Sequence, residues 1–148
     1  KLDEGQYQAI VLAAAGLKRL GLQSRIRTEF PIDQMLPAAG QGALGIEVRA
    51  DRVDLVEALR PLAHQPTWIA VTAERAVSRS MGGSCSMPLA AHARFEGDQL
   101  RIDAAWGDPE GRIALVRASA SGPATTLEQA DALGMSVAAQ LRAGGATG

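Results

Sequence analysis

The sequence has few aromatic residues, one cysteine and no excess of charge of either sign. Only 3% of its 148 residues are aromatic while 47% are hydrophobic, so its core must be built from small aliphatic side chains. The 15 basic and 16 acidic residues disfavour nucleic acid as a partner, because surfaces that bind nucleic acid carry a clear excess of positive charge. One cysteine excludes an internal disulfide, and one cysteine with two histidines cannot supply a four-ligand zinc site.

Long apolar runs are also lacking. No stretch approaches the roughly 20 apolar residues that a membrane-spanning helix needs, and the first residues do not resemble a signal peptide. We therefore expect a cytoplasmic protein with no membrane partner. The chain starts at Lys1 rather than at an initiator methionine, so we expect it to be a piece of a longer protein.

The first third of the chain has the pattern of an α/β domain. Residues 8–14 form an apolar run typical of a strand buried on both faces, and residues 15–21 read as a short helix closed by glycine. Residues 44–49 alternate as a strand does, after a glycine-rich stretch that marks either a hinge or a close approach to a ligand. Asp51 is a plausible N-cap for the helix that follows it.

The remainder has the pattern of a self-contained α+β domain. Pro66 suits the first turn of a helix that runs to the glycines at 82 and 83. Thr126 and Gln129 form a capping box that opens a last helix, which ends near Gly144. Between the two helices, turn-forming residues separate three predicted strands of an antiparallel sheet: 89–95, 100–106 and 112–118.

Cys85 lies on the connection between the first of these helices and the first strand. Glycines precede it and Pro88 follows it, so a thiol there can be presented to a bulky electrophile. The alternative is that Cys85 is a small buried hydrophobe, as free cysteines often are.

Four basic residues near the start of the chain could hold carboxylates through charge-assisted hydrogen bonds, or could form an ordinary solvated face. Those four are Lys18, Arg19, Arg25 and Arg27. His64 and His92 have no partners at metal-ligand spacing, so we expect them to be structural or surface residues.

Residues 74–90, ERAVSRSMGGSCSMPLA, closely resemble the cofactor-attachment signature of the hydroxymethylbilane synthases, also called porphobilinogen deaminases. Residues 1–5, 10–21 and 36–47 are similar to the second half of that family, in the same order and at the same spacing. Two departures are mild: Ser84 stands where many relatives have glycine, and Met87 replaces a branched residue.

The resemblance implies a transferase of porphyrin, tetrapyrrole and heme biosynthesis. Such an enzyme joins four porphobilinogen molecules into 1-hydroxymethylbilane and releases ammonia. It further implies that a dipyrromethane cofactor hangs by a thioether from Cys85, that Arg19 binds carboxylates of the cofactor and growing polypyrrole, and that Gln41 lies near the active cleft at an interdomain hinge.

The resemblance also implies a domain arrangement. Residues 1–36 correspond to the end of domain 2, within a pair of periplasmic-binding-protein-like domains, residues 37–63 to the return into domain 1, and residues 64–148 to the C-terminal domain. The catalytic aspartate of the family belongs to its N-terminal half, so we expect no catalytic residue in this chain, no activity from it alone, and that half as a partner. A competing hypothesis is a non-catalytic binding or interaction domain that retains the fold.

Overall fold

The computed structural model describes residues 1–84 and 86–147. They divide into two compact units, Lys1–Met35 and Leu36–Gly148, which are described separately below.

The first unit is largely irregular and contains two short helical segments. Helix α1 spans Ala14–Arg19, and a single 3-10 turn spans Gln23–Arg25. The predicted strand over residues 8–14 is wrong, because residues 8–13 have no regular structure. Strands exist through hydrogen bonds to a neighbouring strand, and the described part of this unit supplies none. As a result Val11 and Leu12 are 61% and 58% exposed.

The second unit begins with an irregular stretch and helix α2, Val53–Leu59, which is followed by a 3-10 turn, Arg60–Leu62. The predicted strand over residues 44–49 is also wrong: no strand partner lies beside it among the described residues, and Leu44 is 90% exposed. Asp51 does not cap α2. Its carboxylate instead accepts a hydrogen bond from Arg49 Nε at 3.0 Å, and the N-cap position belongs to Arg52.

The predicted α+β domain is confirmed. Helix α3 spans Gln65–Ser80, strands β1 and β2 span Leu89–Glu96 and Gln99–Trp106, strand β3 spans Val116–Pro123, and helix α4 spans Leu127–Ala143. The strands form an antiparallel sheet in the order β1-β2-β3. No helix in the described residues is long and apolar enough to span a membrane.

Local signals in the sequence account for the ends of the two long helices. Pro66 lies in the first turn of α3, where its lack of an amide hydrogen costs nothing. At the start of α4 the predicted capping box is confirmed, since Gln129 N donates to Thr126 Oγ1 at 3.3 Å and Thr126 N donates to Gln129 Oε1 at 3.2 Å.

One face of the sheet packs against α3 and α4, and the other carries charged residues. On the outer face, Asp103 accepts hydrogen bonds from Arg94 and Arg101 at 2.7 and 3.0 Å. Partial burial acts to raise the pKa of Asp103, but the two guanidinium groups lower that pKa overall. As the composition predicts, most core side chains are small; the largest fully buried ones are Met81, Leu100, Ile102, Leu141, Val77 and Val137.

Strand β3 begins later than predicted, at Val116 instead of residue 112. The cause is Asp108, whose carboxylate accepts the backbone amides of Glu110, Arg112 and Ile113 at 3.1, 2.7 and 3.3 Å. Because these amides donate to Asp108, they are not available for hydrogen bonds to a neighbouring strand. The same bonds, led by the one from Glu110, lower the pKa of Asp108.

Candidate functional site

Residues 81–88 connect α3 to β1 and contain position 85; we call this connection the cysteine loop. The loop is held firmly where it leaves α3. Met81, the first residue after the helix, is fully buried. Gly82 and Gly83 then adopt φ angles of 99° and 57°, in the left-handed region where only glycine is free of strain. This turn brings Gly83 N to 2.8 Å from Ser78 O and satisfies a carbonyl at the helix end.

The other end of the loop is tied to the sheet. Leu89 N donates to Met87 O at 2.8 Å, and Gly107 N, at the end of β2, donates to Pro88 O at 2.9 Å. Ser84 and Ser86 lie between these anchors, and both are exposed. Cys85 itself lies outside the described residues, so its role as cofactor anchor stays a prediction.

Arg142 of α4 holds the last residue of α3. Its guanidinium donates to Ser80 Oγ at 3.0 Å and also to the backbone carbonyl of Ser80. A positive side chain at a helix C-terminus both satisfies a free carbonyl and complements the helix dipole. The point from which the cysteine loop departs is thus fixed to a second helix.

Glu74 is a buried residue of this region whose role sequence reasoning missed. This residue of α3 is 5% exposed. One oxygen accepts the amide of Ala93 in β1 at 2.8 Å, and the other accepts the amide of Gly40 at 2.6 Å. His92 Nδ1 lies 3.6 Å from the first of these oxygens. The signal in the sequence was a glutamate directly beside the apolar stripe of α3, where Ala73 and Val77 are buried.

Gln41, predicted to lie near the cleft, follows directly on a segment held against the sheet. Pro37 O accepts Ala91 N at 3.2 Å, and Ala39 packs on the core. Gly40 has a φ of 72°, which reverses the chain beside α3. Gln41 itself is exposed, and its backbone amide donates to Ala38 O at 3.1 Å.

Arg19 is the last residue of α1 in the first unit, and it is exposed. Its neighbours in the basic cluster are engaged: Lys18 pairs with Glu29 at 2.6 Å, and Arg25 pairs with Asp3. Two cluster members have no ion-pair partner among residues 1–84 and 86–147, namely Arg19 and Arg27. The described residues contain no group of three or more potential ligands that could hold a metal ion.

Comparison with known proteins identifies the family to which this chain belongs. Residues 1–57 match the family described as "Porphobilinogen deaminase, dipyromethane cofactor binding domain", and residues 68–143 match "Porphobilinogen deaminase, C-terminal domain". These matches define a class, the proteins that contain a dipyrromethane cofactor-binding domain. Within it, the chain belongs to the porphobilinogen deaminase family.

Individual relatives agree with the family match. The chain is 67% identical over 143 residues to the porphobilinogen deaminase of Albidiferax ferrireducens, which covers 97% of this chain and 45% of that protein. It is 56% identical over 147 residues to the enzyme of Ralstonia nicotianae, covering 99% of this chain and 44% of that protein. The chain therefore spans a little under half the length of the relatives it matches.

Proposed function

We propose that this chain is part of a hydroxymethylbilane synthase, an enzyme that joins four porphobilinogen molecules into 1-hydroxymethylbilane and releases ammonia at each addition. Its contribution is to carry the cofactor and help bind the growing polypyrrole. The observation that supports this most strongly is the loop around position 85. Exposed residues flank that position, while both loop ends are hydrogen-bonded to a packed helix and sheet.

Such a loop suits a covalent anchor. In the proposal the sulfur of Cys85 would hold dipyrromethane through a thioether, and the cofactor would supply the primer on which the polypyrrole grows. The polypyrrole lengthens while its attachment point stays the same, so the anchor must reach different positions without unfolding the domain. Glycines at 82 and 83 leave the loop free of bulky side chains, and Met81 and Leu89 keep its ends in place.

The positive charge of Arg19 complements the negatively charged groups of the proposed substrate and cofactor. Porphobilinogen and dipyrromethane carry acetate and propionate groups, and an arginine binds a carboxylate through two parallel hydrogen bonds. Arg19 is exposed and has no acidic partner among the described residues, so its guanidinium is free for this role. Gln41 is likewise exposed and offers both a donor and an acceptor to a polar ligand.

The proposed domain arrangement would account for the irregular segments. We propose that residues 1–36 complete domain 2, residues 37–63 return to domain 1, and residues 64–148 form the C-terminal domain of a cytoplasmic enzyme. The apolar side chains at 10–12, 44 and 46 are at least half exposed. They would be buried against the N-terminal half of the same protein, which is the partner that this proposal requires.

The experiment is an assay of the full-length enzyme with porphobilinogen, following substrate, ammonia and 1-hydroxymethylbilane together. We expect one ammonia for each porphobilinogen consumed, and no consumption by the 148-residue chain alone. If the full-length protein binds porphobilinogen but consumes none, the competing hypothesis of a non-catalytic binding domain is correct. Turnover by the 148-residue chain alone would contradict the division of labour proposed here.

A further inference from the structure

We propose that Glu74 is a positioning residue, which docks residues 36–41 against α3 and the free edge of β1 and so fixes Gln41 relative to the loop that follows α3. The functional part of this inference rests on the proposed function, because it uses the role of Gln41 near the cleft. The docking itself does not.

The contacts of Glu74 join three elements through one side chain. The carboxylate belongs to α3, one of its oxygens accepts an amide of β1, and the other accepts the amide of Gly40. Both amides come from the backbone and both distances are under 3 Å, at 2.8 and 2.6 Å. Since Glu74 is only 5% exposed, water cannot easily replace either bond.

The docked segment covers a sheet edge that is otherwise open. Strand β1 pairs with β2 on one side only. On its other side, Ala91 N donates to Pro37 O and Ala93 N donates to Glu74. Alternate amides of an edge strand point outward, so the segment and the carboxylate together satisfy two successive outward amides. The segment therefore has a defined register on β1.

Helix α3 connects this docking point to the cysteine loop. Glu74 lies six residues before Ser80, which corresponds to about 9 Å along a helix axis. Ser80 is in turn held by Arg142. A single rigid helix thus carries the residue that fixes the Gln41 segment and, two turns later, the start of the loop with position 85.

Glu74→Gln is the most informative substitution because it preserves size. One carboxylate oxygen becomes an NH2 group, a donor that faces the amide of Gly40 or Ala93, so one of the two bonds is lost. Glu96→Gln is the matched chemical control, since Glu96 is exposed on β1 and pairs only with Arg94 among the described residues. Val77→Ala is the stability control: it removes buried methyl groups from α3 and leaves the contacts of Glu74 in place.

Docking is measured first, by amide hydrogen exchange at Gly40 and Ala93 in the full-length protein. We expect Glu74→Gln to speed exchange at one or both amides at least about tenfold relative to wild type. In Glu96→Gln and Val77→Ala, the exchange rate of the Gly40 amide should keep the same ratio as in wild type to the rates of other amides packed against α3. Unchanged exchange in Glu74→Gln overturns the proposal, whatever the activity of the enzyme.

The functional consequence is measured as kcat per mole of folded, cofactor-loaded enzyme. We expect a fall of about tenfold in Glu74→Gln, with the cofactor still attached, and no change in Val77→Ala at a temperature where both are folded. A purely structural role predicts equal kcat for the two variants. If Glu74→Gln exchanges faster but keeps its kcat, the positioning role is overturned and the proposed function is unaffected. If the wild-type enzyme is inactive, the proposed function is contradicted, and docking is then judged by hydrogen exchange alone.

Discussion

Gly134 of α4 faces the backbone carbonyl of Ala73 in α3 so closely that a Cβ at position 134 would lie 2.2 Å from that oxygen. The same atom would lie 2.7 Å from the Cβ of Ala76. The two long helices thus approach each other through a position where no side chain fits. This contact fixes the helix pair that supports the sheet and the cysteine loop.

Gly134→Ala should therefore destabilise the protein even though alanine favours helices. The helical preference of alanine over glycine contributes about 1 kcal/mol. The added methyl must displace backbone, and overpacking of this kind costs typically 1–3 kcal/mol or more, so we expect a net loss of stability of roughly 1–2 kcal/mol. Gly45→Ala is the control, because nothing lies within 4 Å of its added Cβ. Equal unfolding midpoints in urea for the two variants would contradict this packing.

The Asp108 loop should loosen in acid. Hydrogen bonds to its carboxylate lower the pKa of Asp108 below the ordinary value of 3.8. A lowered folded-state pKa means that the stabilisation is complete above the unfolded value and is lost as the pH falls through the folded value. We expect the amide signals of Arg112 and Ile113 to titrate with a midpoint below 3.8, and Asp108→Asn to abolish that titration. A midpoint at or above the ordinary value would refute this account of the loop.

The capping box of α4 should contribute measurably to stability. Thr126→Ala removes the acceptor for Gln129 N and should cost about 1 kcal/mol. Thr126→Ser keeps the hydroxyl, so it should recover most of that loss. Denaturant unfolding of the three proteins is the measurement. If serine and alanine prove equally destabilising, the hydroxyl is not the cap.

Local signals sufficed to predict the C-terminal module. The capping box, Pro66 and the turn between β1 and β2 act within a few residues of their own position, and all three are confirmed. The predicted strands at 8–14 and 44–49 failed because a strand depends on a neighbour that the pattern does not specify. The late start of β3 depends on Asp108 capturing three amides, a set of bonds that turn composition does not reveal.

For the candidate site, the sequence led to Cys85, Arg19 and Gln41 through a motif and not through geometry. The structure adds how the ends of the cysteine loop are held and that Arg19 has no acidic partner among the described residues. Glu74 was visible in the sequence as the first residue of the motif over residues 74–90. Its two acceptors could not be assigned, because the amides they bind lie 34 residues before it and 19 residues after it.

Arg19→Gln should impair a full-length enzyme that contains this chain. A hydrogen bond to a charged group is worth roughly 1.5–3 kcal/mol, so losing the contact with a substrate carboxylate should lower kcat/KM about tenfold or more. Arg25→Gln is the matched control. Because Arg25 pairs with Asp3, we expect its loss to change kcat/KM less than about twofold. Equal effects of the two substitutions would argue against a carboxylate-binding role for Arg19.

Cys85→Ser should leave the fold intact and prevent attachment of the cofactor. Exchange of sulfur for oxygen removes little packing, so the free energy of unfolding should change by about 0.5 kcal/mol at most if the site is exposed. A serine hydroxyl is a far weaker nucleophile than a cysteine sulfur, and it needs an adjacent base for activation. Ser86→Ala is the control, since it alters the exposed neighbour without touching the thiol.

The mass of one tryptic peptide tests the central claim most directly. Trypsin cuts after Arg79 and Arg94, and the peptide between them contains the single cysteine of the chain. In active wild-type enzyme and in Ser86→Ala this peptide should exceed its sequence mass by two linked pyrrole units, and in Cys85→Ser it should not. An unmodified peptide from fully active wild-type enzyme, or the same excess mass in Cys85→Ser, would show that Cys85 is not the anchor.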